Sequence, residues 1–206
     1  MRVAVTEGKV GRPARLDRVG IARAAIALAD RTSLPQVTMR ALAAEIGSAP
    51  AALYRHVDDR NGLVALMIDE VLAERTAVEA KGSWRADLSI FAAGIFALHR
   101  AHPWLSTGAL PGTMGPGIAE VMDETIGLLA SHPAPAGRKY SAIAVLLELV
   151  AGHARTAARL EESAAVIVED AGRSGSVYEA GHGADEDYAT AVIIAAVGGI
   201  LNSEDL

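Results

Sequence analysis

Between Val37 and Arg60 the chain reads VTMRALAAEIGSAPAALYRHVDDR, and no other stretch restricts its fold as tightly. Thr38 has the side chain of a helix N-cap, and Met39, Leu42, Ala43 and Ile46 follow at the i, i+3, i+4, i+7 spacing of one buried stripe. Gly47 is free to take the left-handed conformation that ends a helix, and Pro50 suits the first turn of the next. In that second helix Leu53 and Val57 face inward four residues apart, which leaves Tyr54, Arg55 and His56 outside. Helix, glycine turn and outward-facing helix predict a helix-turn-helix, a shape that enters the major groove of DNA.

Charge agrees with this reading once it is divided by position. The net charge of −6 is unpromising for a DNA partner. Residues 1–60, however, hold 10 Lys/Arg against 6 Asp/Glu, net +4, and residues 61–206 hold 9 against 19, net −10. Phosphate attraction acts over a Debye length of about 8–10 Å, so the local value governs. The chain is 51% hydrophobic and 4% aromatic, mostly Ala, Leu, Val and Ile, which predicts an all-α protein rather than a sheet. With no cysteine, disulfides and thiolate metal sites are excluded and a reducing compartment fits. The first residues lack the apolar core of a signal peptide, and no uncharged apolar run reaches the ~20 residues of a bilayer span. A cytoplasmic protein with no membrane partner is the expectation.

Three regions follow from the pattern. Residues 1–16 form a flexible basic arm with Lys9, Arg12 and Arg15, which either lies along a minor groove or touches nothing. Residues 17–62 form the helix-turn-helix domain, opened by an Asp17-capped helix to about Arg31. Residues 63–206 form a helical domain for effector binding and dimerisation. Its helices are expected at Arg60 to Ala80, Trp84 to Ala101, Pro103 to Leu110, Gly117 to Ser131, Arg138 to Ser163 and Asp185 to Leu201. Residues 164–184 read as a mobile Gly- and charge-rich connector.

These residues resemble the DNA-binding domain of TetR-type transcriptional repressors over the first ~80 positions. The resemblance rests on Leu16-Asp17, the Val37-Thr38-x-Arg40 entry, Leu42-Ala43, Gly47, the Leu53-Tyr54-x-His56-Val57 run and Arg60. Trp84-Arg85 opening a helix that ends His102-Pro103-Trp104-Leu105 is similar to the ligand domain of that family's tetracycline-repressor subgroup. The resemblance implies that Thr38, Tyr54, His56 and Arg60 contact phosphates and that Arg40 reaches a guanine edge, for whose N7 and O6 acceptors Arg is well suited. Pro50, Ala51 and Ala52 would offer apolar contact on the recognition face, with Arg55 beside them and Arg12 in the arm. Ser48 stands where the family has an apolar residue, Ala49 where a capping Ser or Thr is common, and Ser33 and Gln36 where glycines are usual.

The remaining constellations carry less. His99 and His102 are three apart on one helical face, but no third ligand is fixed by spacing, so no metal is expected. There is no G-x-S-x-G elbow, P-loop or dinucleotide fingerprint, so neither an enzyme nor a cofactor is expected. Phe91, Ile95, Phe96, His99, Trp104, Met114, Met122 and Leu147 are the candidate effector pocket, and Tyr140 belongs to the same sparse aromatic set. At helical spacing such residues also read as plain core. Two C-terminal helices are apolar almost all round and carry small residues, which marks Leu149, Gly152, Val192, Ala195 and Gly199 as a homodimer interface. The expected function is a ligand-responsive repressor that binds a palindromic operator as a homodimer and is released by a small apolar effector. The alternative is a helical ligand-binding or scaffold protein with a vestigial helix-turn-helix.

Overall fold

A computed structural model describes residues 17–107, 115–174 and 186–203, with the backbone alone for 164–174 and 186. The expected arm with Arg12, and Met114, lie outside the described residues. Within them every regular element is helical, as the composition predicts.

Several helices begin where a side chain meets their free N–H groups. Asp17 Oδ1 accepts the Gly20 N–H at 2.7 Å and opens α1 (Arg18–Arg31). Thr38 Oγ1 accepts from Ala41 at 3.0 Å and opens α2 (Met39–Glu45). α3 (Pro50–Leu53) starts at its proline, and Asp59 Oδ1 caps α4 (Arg60–Leu72) through Gly62 at 2.7 Å. Such a cap contributes about 1 kcal/mol. The body holds α5 (Trp84–Ala101), a 3-10 turn at Pro103–Thr107, α6 (Pro116–Leu128), α7 (Ala136–Ser174) and α8 (Glu186–Asn202).

Three expected lengths are corrected. The helix after Gly47, expected to hold both Leu53 and Val57, ends at Leu53, and Tyr54 to His56 follow as turns. α4 stops at Leu72, not Ala80: the chain closes in i→i−3 turns at Glu74 and Arg75, and the Val78 N–H donates to Glu124 Oε1 at 2.8 Å instead of to a carbonyl one turn back. Arg75 pairs with the same carboxylate, and together they draw the chain off the helix axis toward α6. α7 runs past Ser163 to Ser174, so the first half of the expected connector is helical. Ala164 to Ala171 contains neither Gly nor Pro, and nothing local stops the helix there.

Two hydrophobic cores result. The first joins α1, α2 and α3 to the inner face of α4 (Leu63, Val64, Met67, Ile68, Val71) and receives Leu98, Trp104 and Leu105 from the body. The boundary expected after residue 62 falls inside this core. The second packs α5 against α6, α7 and α8 around Leu88, Phe91, Ile143, Leu146 and Val197. Leu72 packs against both. The segment Ala136–Ser163, with a mean hydropathy of 1.2, is long and apolar enough by length and composition to cross a bilayer. Glu148 interrupts it, however, and its inner face lies on α5 and α8.

α4 and α6 are also tied by charge. The Gly117 N–H donates to Asp69 Oδ1 at 2.9 Å, so α4 supplies the N-terminal carboxylate that α6 lacks in its own sequence. A Cβ on Gly117 would come within 2.9 Å of that oxygen, which is why glycine is required at this close approach.

Candidate nucleic-acid interface and ligand cavities

The glycine turn is built as the sequence requires. Gly47 has φ +64, in the left-handed region. The Ser48 N–H donates to the Ala43 carbonyl at 2.8 Å and the Gly47 N–H to Ala44 at 3.3 Å, the paired bonds of a Schellman stop. Ser48 therefore ends α2 through its backbone, and α3 starts at Ala49 without a side-chain cap. Leu53 is fully buried and Val57 nearly so, each burial contributing about 1.5–3 kcal/mol toward seating the turn.

That seating sets the outer surface. Tyr54 is 53% exposed, Arg55, Pro50 and Ala51 are exposed, and Ala52 and His56 are half-buried. Arg40 and Thr38 are exposed at the start of α2. Among the described residues neither Arg40 nor Arg55 has an ion-pair partner, so both leave a full positive charge on this face. The geometry adds Arg18, which spacing did not single out. Its Nη1 donates to the His56 carbonyl at 2.6 Å and fixes the end of the turn from α1.

Arg60 is bound within the head. Its Nε donates to the Val37 carbonyl at 3.0 Å and its Nη2 to the Leu34 carbonyl at 2.7 Å, both part-buried. The guanidinium faces the connector before α2 and braces the entry to the helix-turn-helix. No local pattern announces this, since donor and acceptors lie 23 and 26 residues apart.

The candidate effector residues do not share one chamber. Ile95, His99 and Leu147 line an apolar cavity of about 190 Å³ with Ile68 and Leu72 of α4 and Ile118 and Val121 of α6. Phe91 lines a separate space of about 370 Å³ beside Arg75. Phe96 is buried against His153, ring centroids 5.2 Å apart. Trp104 and His99 line a third space of about 440 Å³ on the head side of the body. Met122 is half-buried against the second core and lines none of these, and Tyr140 is half-exposed. The reason is α5. Phe91, Ile95 and His99 lie four apart on one face of it, but successive turns of that face meet different neighbours, which a list of aromatic residues does not resolve.

His99 is the chemically distinctive member. Burial pushes its pKa down, Arg155 adds to the effect, and it falls from 6.5 to about 4. Its Nδ1 lies 2.7 Å from Ser106 Oγ, so the ring is a neutral hydrogen-bonding group at pH 7. Below it Asp30 of α1 receives the Trp104 Nε1–H at 2.9 Å and sits 3.0 Å from His102 Nδ1, joining head and body.

On the opposite side of the body, Leu149 is 39% and Val192 50% exposed, Ala195 and Gly199 are exposed, and Gly152 is half-buried. With Tyr188 they make an apolar face along α7 and α8, hollowed by a space of about 430 Å³.

No protein-family model matches the chain. Over 144 residues it is 35% identical to the HTH-type transcriptional repressor DrrR1 of Streptomyces coeruleorubidus, a match covering 68% of this chain and 53% of that protein. The chain thus spans a third to about half the length of the curated relatives it matches. Among solved structures, the Streptomyces coelicolor TetR family protein ActR in complex with actinorhodin superposes with a TM-score of 0.73 at 25% identity, over 92% of this chain and 100% of that one. A single-residue variant of TetR from Acinetobacter baumannii AYE, in complex with minocycline, gives 0.67 at 19% identity, over 92% and 100%, a likeness of fold alone.

Proposed function

Since this chain belongs to the TetR family of helix-turn-helix regulators, we propose that it is a ligand-responsive repressor that binds a palindromic operator as a homodimer and leaves it when a small apolar effector binds. The observation that carries this reading is the outward face after Gly47. Tyr54 and Arg55 project from a turn whose inner side is anchored by Leu53 and Val57, with Arg40 unpaired beside them. Tyr54, His56 and Thr38 would position the protein on phosphates. Arg40, Pro50, Ala51 and Ala52 would meet base edges.

One such face reads too few bases for a unique site, and two placed ~34–36 Å apart by a two-fold axis read a palindrome. The apolar face with Leu149, Gly152, Val192, Ala195 and Gly199 supports that pairing, since an exposed patch of this kind marks an interaction surface. For the effector, the cavity walled by Ile95, His99 and Leu147 is favoured. Its other wall is α4, which shares its core with the helix-turn-helix. A ligand that enlarges this space moves α4, and it weakens DNA binding to the extent that it prefers the moved state.

Selection of genomic fragments with the purified chain at moderate salt tests the reading. The expected result is enrichment of one palindromic site. Retention of all fragments alike, or of none, favours the scaffold alternative, to which the alanine-rich α3 lends itself.

A further inference from the structure

The space of about 440 Å³ between head and body is not absorbed by the function above. It opens where the end of α1 and the connector through Leu34 face the Pro103–Thr107 turn and α7. Its volume falls within the usual ligand-site range of about 300–1,000 Å³. On α7 two residue pairs at i, i+4 spacing shape it. Ala154 and Ala158 leave the slot empty by being small, and Arg155 and Arg159, one position on, line it with positive charge.

The charges there are unevenly satisfied. Asp30 is occupied by the Trp104 indole N–H and by His102. Arg155 donates to the Ser106 carbonyl at 2.9 Å and has no carboxylate partner among the described residues. Arg159 has neither hydrogen-bond nor ion-pair partner for its side chain among them. Glu162, exposed one turn beyond Ala158, is the only other anion on the walls. A half-buried guanidinium with unused donors, beside a neutral imidazole and flanked by Trp104 and Pro103, suits a planar anion whose remainder is apolar.

We propose that this cleft is a second ligand site, distinct from the apolar cavity behind His99, and that it takes a small aromatic carboxylate gripped by Arg155 and Arg159. Its walls come from both the DNA-binding head and the body, so its ligand bridges the two.

The site is tested without DNA, so the outcome is separable from that of the operator experiment. 4-Nitrobenzoate is titrated into the full chain by calorimetry, with 4-nitrobenzamide as the uncharged isostere. Quenching of Trp104 is followed in parallel in a Trp84→Phe background, which leaves it as the one tryptophan. Expected are heat with the acid, quenching of Trp104 over the same concentrations, and binding about tenfold or more weaker for the amide. Arg159→Ala, an exposed side chain whose loss spares the fold, and Arg155→Gln should each weaken the acid to a similar degree. Circular dichroism checks that both variants remain helical. Equal binding of acid and amide, unchanged affinity in Arg159→Ala, heat without quenching of Trp104, or no heat at millimolar acid would each overturn the proposal.

Discussion

Replacing Arg60 by alanine separates two jobs that its position makes easy to confuse. A phosphate contact contributes to DNA affinity and little to the fold. A brace does the reverse. Arg60 makes two bonds to backbone carbonyls, and they are not equivalent. The Leu34 carbonyl also accepts the Val37 N–H at 3.1 Å, so it keeps a partner when the guanidinium is removed. The Val37 carbonyl would lose the Arg60 donor, leaving a part-buried acceptor without that bond. A bond from a charged donor is worth about 1.5–3 kcal/mol net, and the deserted acceptor adds desolvation of similar size, moderated by partial exposure. Together the loss comes to about 2–3 kcal/mol, against a total stability of about 5–15 kcal/mol for a typical domain. Urea unfolding followed by circular dichroism, at fixed protein concentration, should show a lower midpoint with an unchanged slope. DNA binding of the folded variant should keep the wild-type dependence of log K on log salt. Arg55→Ala should do the opposite, leaving the midpoint in place and cutting that dependence by about 1. If Arg60→Ala unfolds at the wild-type urea concentration and flattens the salt dependence, the brace is wrong and the phosphate role is restored.

Two further predictions concern acid. His99 is held neutral, with its pKa down from 6.5 to about 4, so the unfolded chain binds a proton in that interval that the folded one refuses. Its contribution is complete above pH 6.5 and is lost on acidification to pH 4, at most about 3 kcal/mol and less with solvent screening. Thermal unfolding of His99→Gln across pH 4–7 should show a shallower decline than wild type. For Glu124, burial pushes the pKa up, but the bonds from Arg75 and the Val78 N–H outweigh it and hold the carboxyl below its ordinary value. Its stabilisation is present above the ordinary carboxylate range and disappears only as pH falls through the depressed value. Breaking the pair by Glu124→Gln leaves the Arg75 charge buried, and should cost about 3–5 kcal/mol by urea titration at pH 7.

Much of the head was legible from short-range pattern. Thr38, Gly47, Pro50, Leu53 and Val57 each do what their chemistry and spacing predict, because caps, turns and stripes act within one or two helical turns. The cap at Asp17, the span Trp84–Ala101 and the stop at His102-Pro103 were readable for the same reason. The roles of Arg60, Arg18, Asp69 and Glu124 were not, because each side chain meets its partner 23 to 49 residues away. The end of α4 is the clearest case. Nothing in Ala73 to Ala80 forbids a helix, yet the chain leaves the axis after Leu72 and Val78 gives its N–H to a carboxylate on α6.

By itself, then, the order of residues decided the all-helical class, the helix-turn-helix and which of its side chains face out, since helical period and terminal capping are local properties. Only packing decided which neighbours each turn of α5 meets, and hence that Ile95, Trp104 and Phe91 line different spaces while Phe96 lines none of them. It also decided that Arg60 bonds the Leu34 and Val37 carbonyls. Burial and long-range charge pairing depend on where distant segments meet, and spacing along the chain carries no record of that.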